Sequence, residues 1–180
     1  MCHGSLKCGA VEKFIVKNST KICSFELKYK KELLALVMPV FRDGETYAIP
    51  VDISCQEAID YWTSSPKKCF IVLQGEKICA TYYICENQLG NGNHICNCGY
   101  ITGPKYEGQG FARQMLEHSF LTAKSLGFTG MQFNFVVSSN IRAVETWKKY
   151  NFKKIGCVPR AFRHPNKGLI DALIMYKDLV

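Results

Sequence analysis

The chain has 180 residues, of which 47% are hydrophobic and 21% are charged, and its formal net charge is +8. This length and composition favour one globular domain with a sizeable core and exclude a largely disordered chain. No apolar run approaches the ~20 residues of a membrane span, and the first residues lack the apolar core of a secretory signal. We therefore predict a cytoplasmic protein with no membrane partner.

The ten cysteines are scattered along the chain. In the absence of a secretory signal, we interpret them as reduced thiols that serve as small hydrophobic residues. The chain has no Cys-x-x-Cys pair, and Cys96 and Cys98 would share one strand face, so we predict no metal site. The positive charge suits an anionic ligand, but no motif of basic and aromatic residues supports a nucleic-acid partner.

The first third of the chain predicts short strands and one helix. Weak strands are expected over residues 13–17 and 24–29. Residues 31–38 are rich in helix formers, and we expect this helix to end before Pro39, because proline disfavours helical geometry in the residue before it. Residues 46–51 are then predicted to run extended.

A capping box and a hairpin follow. Ser54 and Glu57 have the spacing at which each side chain accepts a hydrogen bond from the backbone of the other, which predicts the start of a short helix. Two runs of β-branched and aromatic residues, 69–74 and 77–85, are separated by Gly75-Glu76, so they predict an antiparallel hairpin.

The second half predicts alternating strands and helices. A strand over residues 94–102 contains Gly99, which marks a β-bulge or a close backbone approach, or is merely tolerated there. A helix over 111–126 precedes Gly127, the expected residue after a helix C-terminus. The nearly continuous apolar run 131–137 predicts a strand buried on both faces. The remaining elements are a helix, a strand, a basic loop and a final strand, over residues 140–151, 152–158, 159–168 and 169–176.

Residues 96–113, between the strand and the helix, carry the strongest functional signal. Gly108 and Gly110 remove side chains where the backbone must approach a ligand. The helix that begins near Phe111 offers unpaired N–H groups and the positive end of its dipole, which predicts a phosphate site. A nucleoside-triphosphate loop would need Gly-Lys-Ser/Thr here, and a dinucleotide site would need an acidic residue about 20 positions on. The sequence has neither.

Two motifs together resemble those of the GCN5-related N-acetyltransferases, the GNAT family. They are Pro104-x-x-Glu107-Gly108-x-Gly110-x-Ala112, and Asn140-x-x-Ala143-x-x-x-Trp147 followed by Asn151-Phe152. The resemblance covers roughly residues 67–180. It implies an α/β (α+β) mixed sheet of the GNAT fold, in which an antiparallel N-terminal meander precedes a parallel β-α-β unit with splayed central strands. We expect one domain over residues 1–180, with 1–24 as an extra N-terminal segment.

The resemblance also implies transfer of an acetyl group from acetyl-CoA, as cosubstrate and without a metal, to an amine by direct attack. The segments around Asn97, Asn134 and Asp171 are similar to those of fungal members that acetylate proline analogues such as azetidine-2-carboxylate. We therefore predict a small-molecule, amino-acid-like amine as the acceptor. A protein or peptide N-acetyltransferase and a non-catalytic acyl-CoA-binding regulatory protein are the alternatives, and a homodimer is compatible with the resemblance.

The resemblance assigns roles to individual residues. Asn97 and Asn134 would orient the acceptor, and Asn140 would contact the pantetheine arm or a catalytic water. The structural alternatives are hydrogen-bonded core amides for the first two and a plain helix N-cap for Asn140. A backbone N–H near Ile101 or Thr102, on a bulged strand edge, would hold the oxyanion. The predicted coenzyme-binding residues are Ile101, Thr102, Gly108, Gln109, Gly110, Phe111, Ala112, Arg113, Asn140 and Trp147.

Two residues depart from the family pattern. Glu107 stands where arginine or glutamine is usual, and it would repel a pyrophosphate unless it points away or pairs with Lys105 or Arg113. Trp147 stands where many members have the tyrosine that protonates the leaving thiolate, and indole cannot act as that acid. The acid is therefore unassigned, and water is a candidate.

The general base is also unassigned by the sequence. His94 is a candidate for a proton relay through water, and Asp171 is a candidate for ordering the active-site end of the last strand. Arg160, Arg163 and Lys167 belong to the late basic loop. They would attract an acidic substrate or the 3′-phosphate of CoA, or simply form a solvated surface.

Overall fold

The computed structural model describes residues 20–180. This part of the chain forms seven strands and four α-helices. The strands are β1 (Thr20–Ser24), β2 (Lys68–Gln74), β3 (Lys77–Glu86), β4 (Ile95–Thr102), β5 (Gly130–Val137), β6 (Lys153–His164) and β7 (Gly168–Asp178). The helices are α1 (Lys30–Asp43), α2 (Cys55–Thr63), α3 (Phe111–Ser125) and α4 (Ile141–Lys149). The strand predicted over 13–17 and most of the predicted extra segment 1–24 lie outside the described residues.

One seven-stranded sheet runs in the order β1-β2-β3-β4-β5-β7-β6. All neighbouring strands are antiparallel except β4 and β5, which are parallel and pair only through Ile95 with Gly130 and Cys96 with Met131. Beyond these two pairs the strands separate. The mixed sheet with splayed central strands is thus confirmed.

A hydrophobic core covers each face of the sheet. On one face α3 and α4 pack against the strands, and on the other α1 and α2 do so. Neighbouring residues of β3 belong to different cores, Tyr82 to the first and Tyr83 to the second, as the alternation along a strand requires.

In the first core, the Tyr82 hydroxyl lies 2.6 Å from Nδ1 of His118. Burial lowers the pKa of His118, so a neutral ring is favoured in this contact.

Gly99 marks a close approach and not a bulge. The register between β3 and β4 is continuous over seven residue pairs, so the bulged edge expected at this glycine is absent from the described strand. A Cβ at Gly99 would lie 2.5 Å from Cε1 of Tyr83, whose side chain is only 5% exposed. The Tyr83 ring packs 4.9 Å from that of Trp62, so it has little room to move aside.

Three N-terminal predictions were wrong in detail. α1 continues through Pro39 to Asp43, because burial of its last turn, including Phe41, offsets the lost hydrogen bond. Residues 46–51 form an irregular loop, which Arg42 holds by donating to the carbonyls of Val51 and Ile53. The strand expected over 24–29 lies earlier in the chain, because β1 ends at Ser24 and a short 3-10 helix, Leu27–Tyr29, follows.

Two C-terminal predictions also need correction. The basic loop predicted over 159–168 is mostly strand, because β6 continues to His164 past an irregularity at which Arg160 has φ 54°. The Arg160 N–H donates to Oδ1 of Asp171 at 2.9 Å, which stabilises this irregularity. The strand expected to be buried on both faces exposes Asn134 and Phe135, where its pairing with β7 is interrupted.

Other local predictions are confirmed. The capping box is present, with Glu57 N–H donating to Ser54 and Ser54 N–H donating to Glu57. The β2–β3 hairpin turns at Gly75, and Gly127, with φ 82°, follows α3. Within the part of the chain that the structure describes, none of the helices is long and apolar enough to span a membrane.

The contact between Gly99 and Tyr83 predicts a large effect of one methyl group. We expect Gly99→Ala to lower the free energy of unfolding by about 1–3 kcal/mol, because overpacking displaces a ring held by neighbouring rings. Gly156→Ala is the matched control, since the atom nearest to a Cβ at this strand glycine would be the flexible end of Ile174, Cδ1, at 3.2 Å. Urea denaturation measures both variants. An effect at Gly99 no larger than that at Gly156 would show that Tyr83 can relax.

Candidate active site

The separation of β4 from β5 leaves a row of backbone groups unpaired. Hydrogen bonds join Asn87 with Ile95 and Gly103 with Cys79 at the two ends of the β3–β4 ladder. Because the pairing of an antiparallel ladder alternates, Ile101 directs its N–H and C=O groups toward β3. Tyr100 and Thr102 direct theirs toward the open edge. The expectation that the Ile101 N–H could hold the oxyanion is therefore wrong, because this group faces β3. The Thr102 N–H faces the open edge and stays a candidate for that role.

A cavity of about 960 Å³ passes through the gap between the two strands. Its walls come from both faces of the sheet. On the side of α3 and α4 it is lined by the glycine turn, by the first turn of α3 and by residues along α4 as far as Lys149. On the side of α1 and α2 it is lined by the loop that follows α1, by Tyr61 and by Tyr83. Except for Gln109, every residue predicted to orient the acceptor or to bind the coenzyme lines this cavity.

The glycine turn leads directly into α3. Gly108 and Gly110 have φ values of 74° and 84°, and a Cβ on either would meet nothing within 4 Å. These positions therefore need glycine for the left-handed backbone, and crowding by protein atoms is not the reason. Within residues 20–180 no side chain caps α3, and the N–H groups of its first turn, residues 111–113, point to no protein acceptor. This geometry suits a bound phosphate. The Gln109 side chain folds back and donates to the Lys105 carbonyl at 3.2 Å.

Glu107 pairs with a residue that the sequence analysis did not consider. Its Oε2 lies 2.7 Å from Nη1 of Arg142, in the first turn of α4. The expected partners, Lys105 and Arg113, are not its partners in the structure, and Arg113 lies 3.9 Å from Glu117 instead. Both Glu107 and Arg142 line the cavity, so the pair connects the glycine turn to α4.

The three predicted asparagines all line the cavity but differ in their contacts. Asn134 is exposed, and its amide donates to Asn87 at 2.5 Å and accepts from Gln132 at 2.9 Å. Asn97 is half-buried, and among the described residues its side chain has no hydrogen-bond partner. Asn140 caps α4 by accepting from the Ala143 N–H at 3.2 Å. The N-cap interpretation of Asn140 is therefore confirmed, and its Nδ2 group stays available to a ligand.

Trp147 belongs to the core as well as to the cavity wall. It is 7% exposed, and its ring centroid lies 5.2 Å from that of Tyr100 on β4 and 5.0 Å from that of Phe133 on β5. The indole thus packs against both splayed strands. Its position supports the shape of the cavity, and it supplies no proton donor for a leaving thiolate.

The remaining candidates from the sequence lie outside the cavity. His94 precedes β4 at the end remote from the glycine turn, where its carbonyl accepts from the Thr129 N–H at 2.9 Å. Asp171 holds Arg160 in β6, so its ordering role applies to the β6–β7 hairpin. Arg160, Arg163 and Lys167 do not line the cavity.

Sequence reasoning missed an aromatic and acidic group at the end of the cavity near α1 and α2. Tyr47, Tyr61 and Tyr83 line this end together with Asp43 and Glu45. Burial raises the pKa of all three tyrosines, so they stay protonated and cannot act as bases near neutral pH. The one sequence signal for this group was Gly99, whose predicted close backbone approach is to Tyr83. These two residues pair in the register between β3 and β4.

The loop after α1 is fixed to the open edge of β4. The Tyr47 hydroxyl donates to the Tyr100 carbonyl at 2.9 Å. Nearer to α1 in the same loop, Oε1 of Glu45 accepts a hydrogen bond from Nδ2 of Asn166, in the β6–β7 turn, at 3.4 Å. These contacts bring the loop over the gap and limit the width of this end of the cavity.

The cysteines provide no nucleophile or metal site in the described chain. All eight cysteines within residues 20–180 are free thiols, and the Cys98 thiol, which lines the cavity, has its pKa raised by burial. A thiol with a raised pKa is a poor nucleophile. Within the same residues, no cluster of three or more His, Cys, Asp or Glu residues could hold a metal ion.

Comparisons with known proteins agree with this geometry. Residues 31–152 match the model of the Acetyltransferase (GNAT) family. The N-acetyltransferase aca1 of Schizosaccharomyces pombe is 26% identical over 172 residues, with 84% of this chain and 82% of that protein covered. A GCN5-related N-acetyltransferase from Kribbella flavida superposes with a TM-score of 0.84 at 24% identity, covering 89% of this chain and 98% of its own. The structure of yncA from Salmonella typhimurium with its cofactor acetyl-CoA superposes with a TM-score of 0.79 at 10% identity, covering 90% and 95%.

Substitution of a glycine in the glycine turn is predicted to weaken CoA binding in addition to lowering the stability of the fold. We expect Gly110→Ala to destabilise the fold by about 1 kcal/mol, because alanine is strained at φ 84°. We also expect it to weaken CoA binding by about tenfold or more, because relief of the strain moves the N–H groups. Gly75→Ala is the control, since it has φ 61°, open surroundings and no place in the cavity. Calorimetric titration with CoA measures binding, and equal CoA affinities for the two variants would contradict the anion-site assignment.

Proposed function

The chain belongs to the GNAT family of acetyl-CoA-dependent acetyltransferases, and we propose that it acetylates the amine of a small, amino-acid-like molecule. The observation that carries this proposal is the cavity through the splayed strands. One of its ends offers unpaired N–H groups to a phosphate, and the other offers amides, phenols and carboxylates to a polar acceptor. A long anionic coenzyme and a small amine suit these two ends.

Backbone geometry supports the coenzyme end of this proposal. The N–H groups from Gly108 to Arg113 would hold the pyrophosphate, with Phe111 and Ala112 in the first turn of α3. The pantetheine arm would pair with the open edge of β4 through Tyr100 and Thr102, as an added strand pairs with a sheet edge. The free amide nitrogen of Asn140 lies on the α4 wall and would contact the same arm.

Direct attack fits the residues around the gap. The amine nitrogen would attack the thioester carbon, the carbon–sulfur bond would break, and the N–H of Tyr100 or Thr102 would stabilise the oxyanion. The amine would lose a proton, and the thiolate of CoA would take one up. Burial raises the pKa of Cys98, which disfavours an acyl-enzyme route through that thiol.

The acceptor end has the chemistry expected for an amine. Asp43 and Glu45 would attract an ammonium group, and the rings of Tyr47, Tyr61 and Tyr83 would cover its apolar part. The Asn97 amide has unused hydrogen-bonding capacity, which suits a carboxylate or amine of the substrate. Proline analogues such as azetidine-2-carboxylate form the first class to test, because the segments around Asn97 and Asn134 resemble those of enzymes that acetylate them.

Mass spectrometry tests the proposal. Purified protein is incubated with acetyl-CoA and a panel of amino acids, proline analogues, polyamines and peptides with free N-termini. We expect products heavier by one acetyl group among the small amines, with release of an equal amount of CoA. Acetylation confined to peptides would replace the small-molecule acceptor with a protein acceptor. Coenzyme binding without any acetylated product across the panel would favour the non-catalytic alternative.

The asparagines predict a split between turnover and coenzyme binding. We expect Asn134→Ala to lower kcat by about tenfold or more, because the acceptor loses a positioning amide, while the acetyl-CoA Kd changes by less than about twofold. Asn97→Ala is expected to behave in the same way. Asn93→Ala is the control, because this exposed loop residue does not line the cavity. Wild-type turnover in both cavity variants would make these residues structural.

A further inference from the structure

The contact between Glu107 and Arg142 joins two walls of the cavity at its exposed side. Glu107 lies on the turn between β4 and the anion-binding glycines, whereas Arg142 lies in the first turn of α4. Their charged atoms are 2.7 Å apart, and their side chains are 54% and 84% exposed. The pair therefore lies at the mouth of the cavity and is accessible to solvent.

Neither residue needs this partner for its own local structure. Arg142 is in the first turn of α4, where a positive charge opposes the helix dipole, so helix stability does not explain it. Glu107 is next to unpaired N–H groups that favour an anion, yet it turns toward the other wall. The two side chains thus contact each other across the cavity without serving the local structure of either segment.

We propose that Glu107 and Arg142 form a clasp over the coenzyme, which must open for acetyl-CoA to enter or leave. This inference rests on the proposed binding mode, in which the coenzyme joins the glycine turn to the open edge of β4. Glu107 lies in the chain between Thr102 on that edge and Gly108 on that turn. A molecule that connects these two points passes between the walls that the ion pair connects.

A clasp affects rates more than equilibrium affinity. The pair forms in the free protein and would form again over the bound coenzyme, so its loss should accelerate binding and release together. The charges are exposed, so the barrier they add is small and is screened by salt. We expect an effect of about twofold to fivefold on each rate constant, which is the factor that one exposed ion pair supplies.

The test uses a double variant that removes the clasp without changing the net charge. Glu107→Gln combined with Arg142→Gln removes one charge of each sign, so the attraction of the anionic coenzyme is largely preserved. Glu26→Gln combined with Lys28→Gln is the matched control, because this exposed pair, 3.0 Å apart, does not line the cavity. Trp147 lines the cavity and reports binding by its fluorescence in stopped-flow mixing with acetyl-CoA.

We expect the association and dissociation rate constants of the cavity double variant both to rise about twofold to fivefold at low salt, with Kd changed by less than about twofold. The control variant should match the wild type, and high salt should remove the difference. Each single variant should dissociate as fast as the double variant, because either change opens the same pair.

Two results would overturn the clasp. Rate constants equal to those of the wild type would show that the pair does not obstruct the coenzyme. A weaker Kd with a slower association rate would show that Arg142 acts as a phosphate ligand that Glu107 merely neutralises. A wild-type protein that fails to bind acetyl-CoA in calorimetry would instead refute the coenzyme site itself, and the clasp with it.

Discussion

The parallel pairing of β4 with β5 ends after two residue pairs, and the functional geometry depends on this short contact. A sheet that stayed paired would have no cavity and no open backbone edge. On one face the Trp147 ring forms part of the cavity wall and packs against Tyr100 and Phe133. A ligand that pairs with the open edge would satisfy backbone groups that otherwise lack a protein partner.

The two faces of the sheet divide the chemistry between them. α3 and α4 begin on one side of the gap, and both direct the positive ends of their dipoles toward it. The loop after α1 covers the other side, where Tyr47 donates to the Tyr100 carbonyl. That hydrogen bond uses one acceptor of the open edge, so a coenzyme bound there as proposed would share the same short stretch of β4 with the loop. In the proposed binding mode, the acceptor and coenzyme sites would therefore be built on neighbouring backbone atoms.

Features that depend on local sequence could be predicted, and features that depend on distant contacts could not. The capping box at Ser54, the hairpin at Gly75 and the glycine turn before α3 are set by a few adjacent residues. α1 continues past Pro39 because distant side chains bury its last turn. β6 extends beyond its predicted end because Asp171, on β7, accepts a hydrogen bond from the Arg160 N–H. In the site, the family resemblance located the asparagines, but Asn87, which accepts from Asn134 and lies 47 residues earlier in the chain, becomes its neighbour only in the folded sheet.

Glu107 shows how a departure from a motif can be balanced elsewhere. Arginine or glutamine is usual at this position in the family, and a carboxylate here brings a negative charge next to the anion-binding turn. Arg142 on the opposite wall, 2.7 Å away, carries the opposite charge, so the two residues together add no net charge to the cavity mouth. Lys105 and Arg113 are then free of Glu107, and the backbone N–H groups of the turn face no competing carboxylate. In the proposed binding mode, the attraction for a phosphate-bearing ligand would therefore come mainly from the backbone N–H groups, while the ion pair spans the cavity.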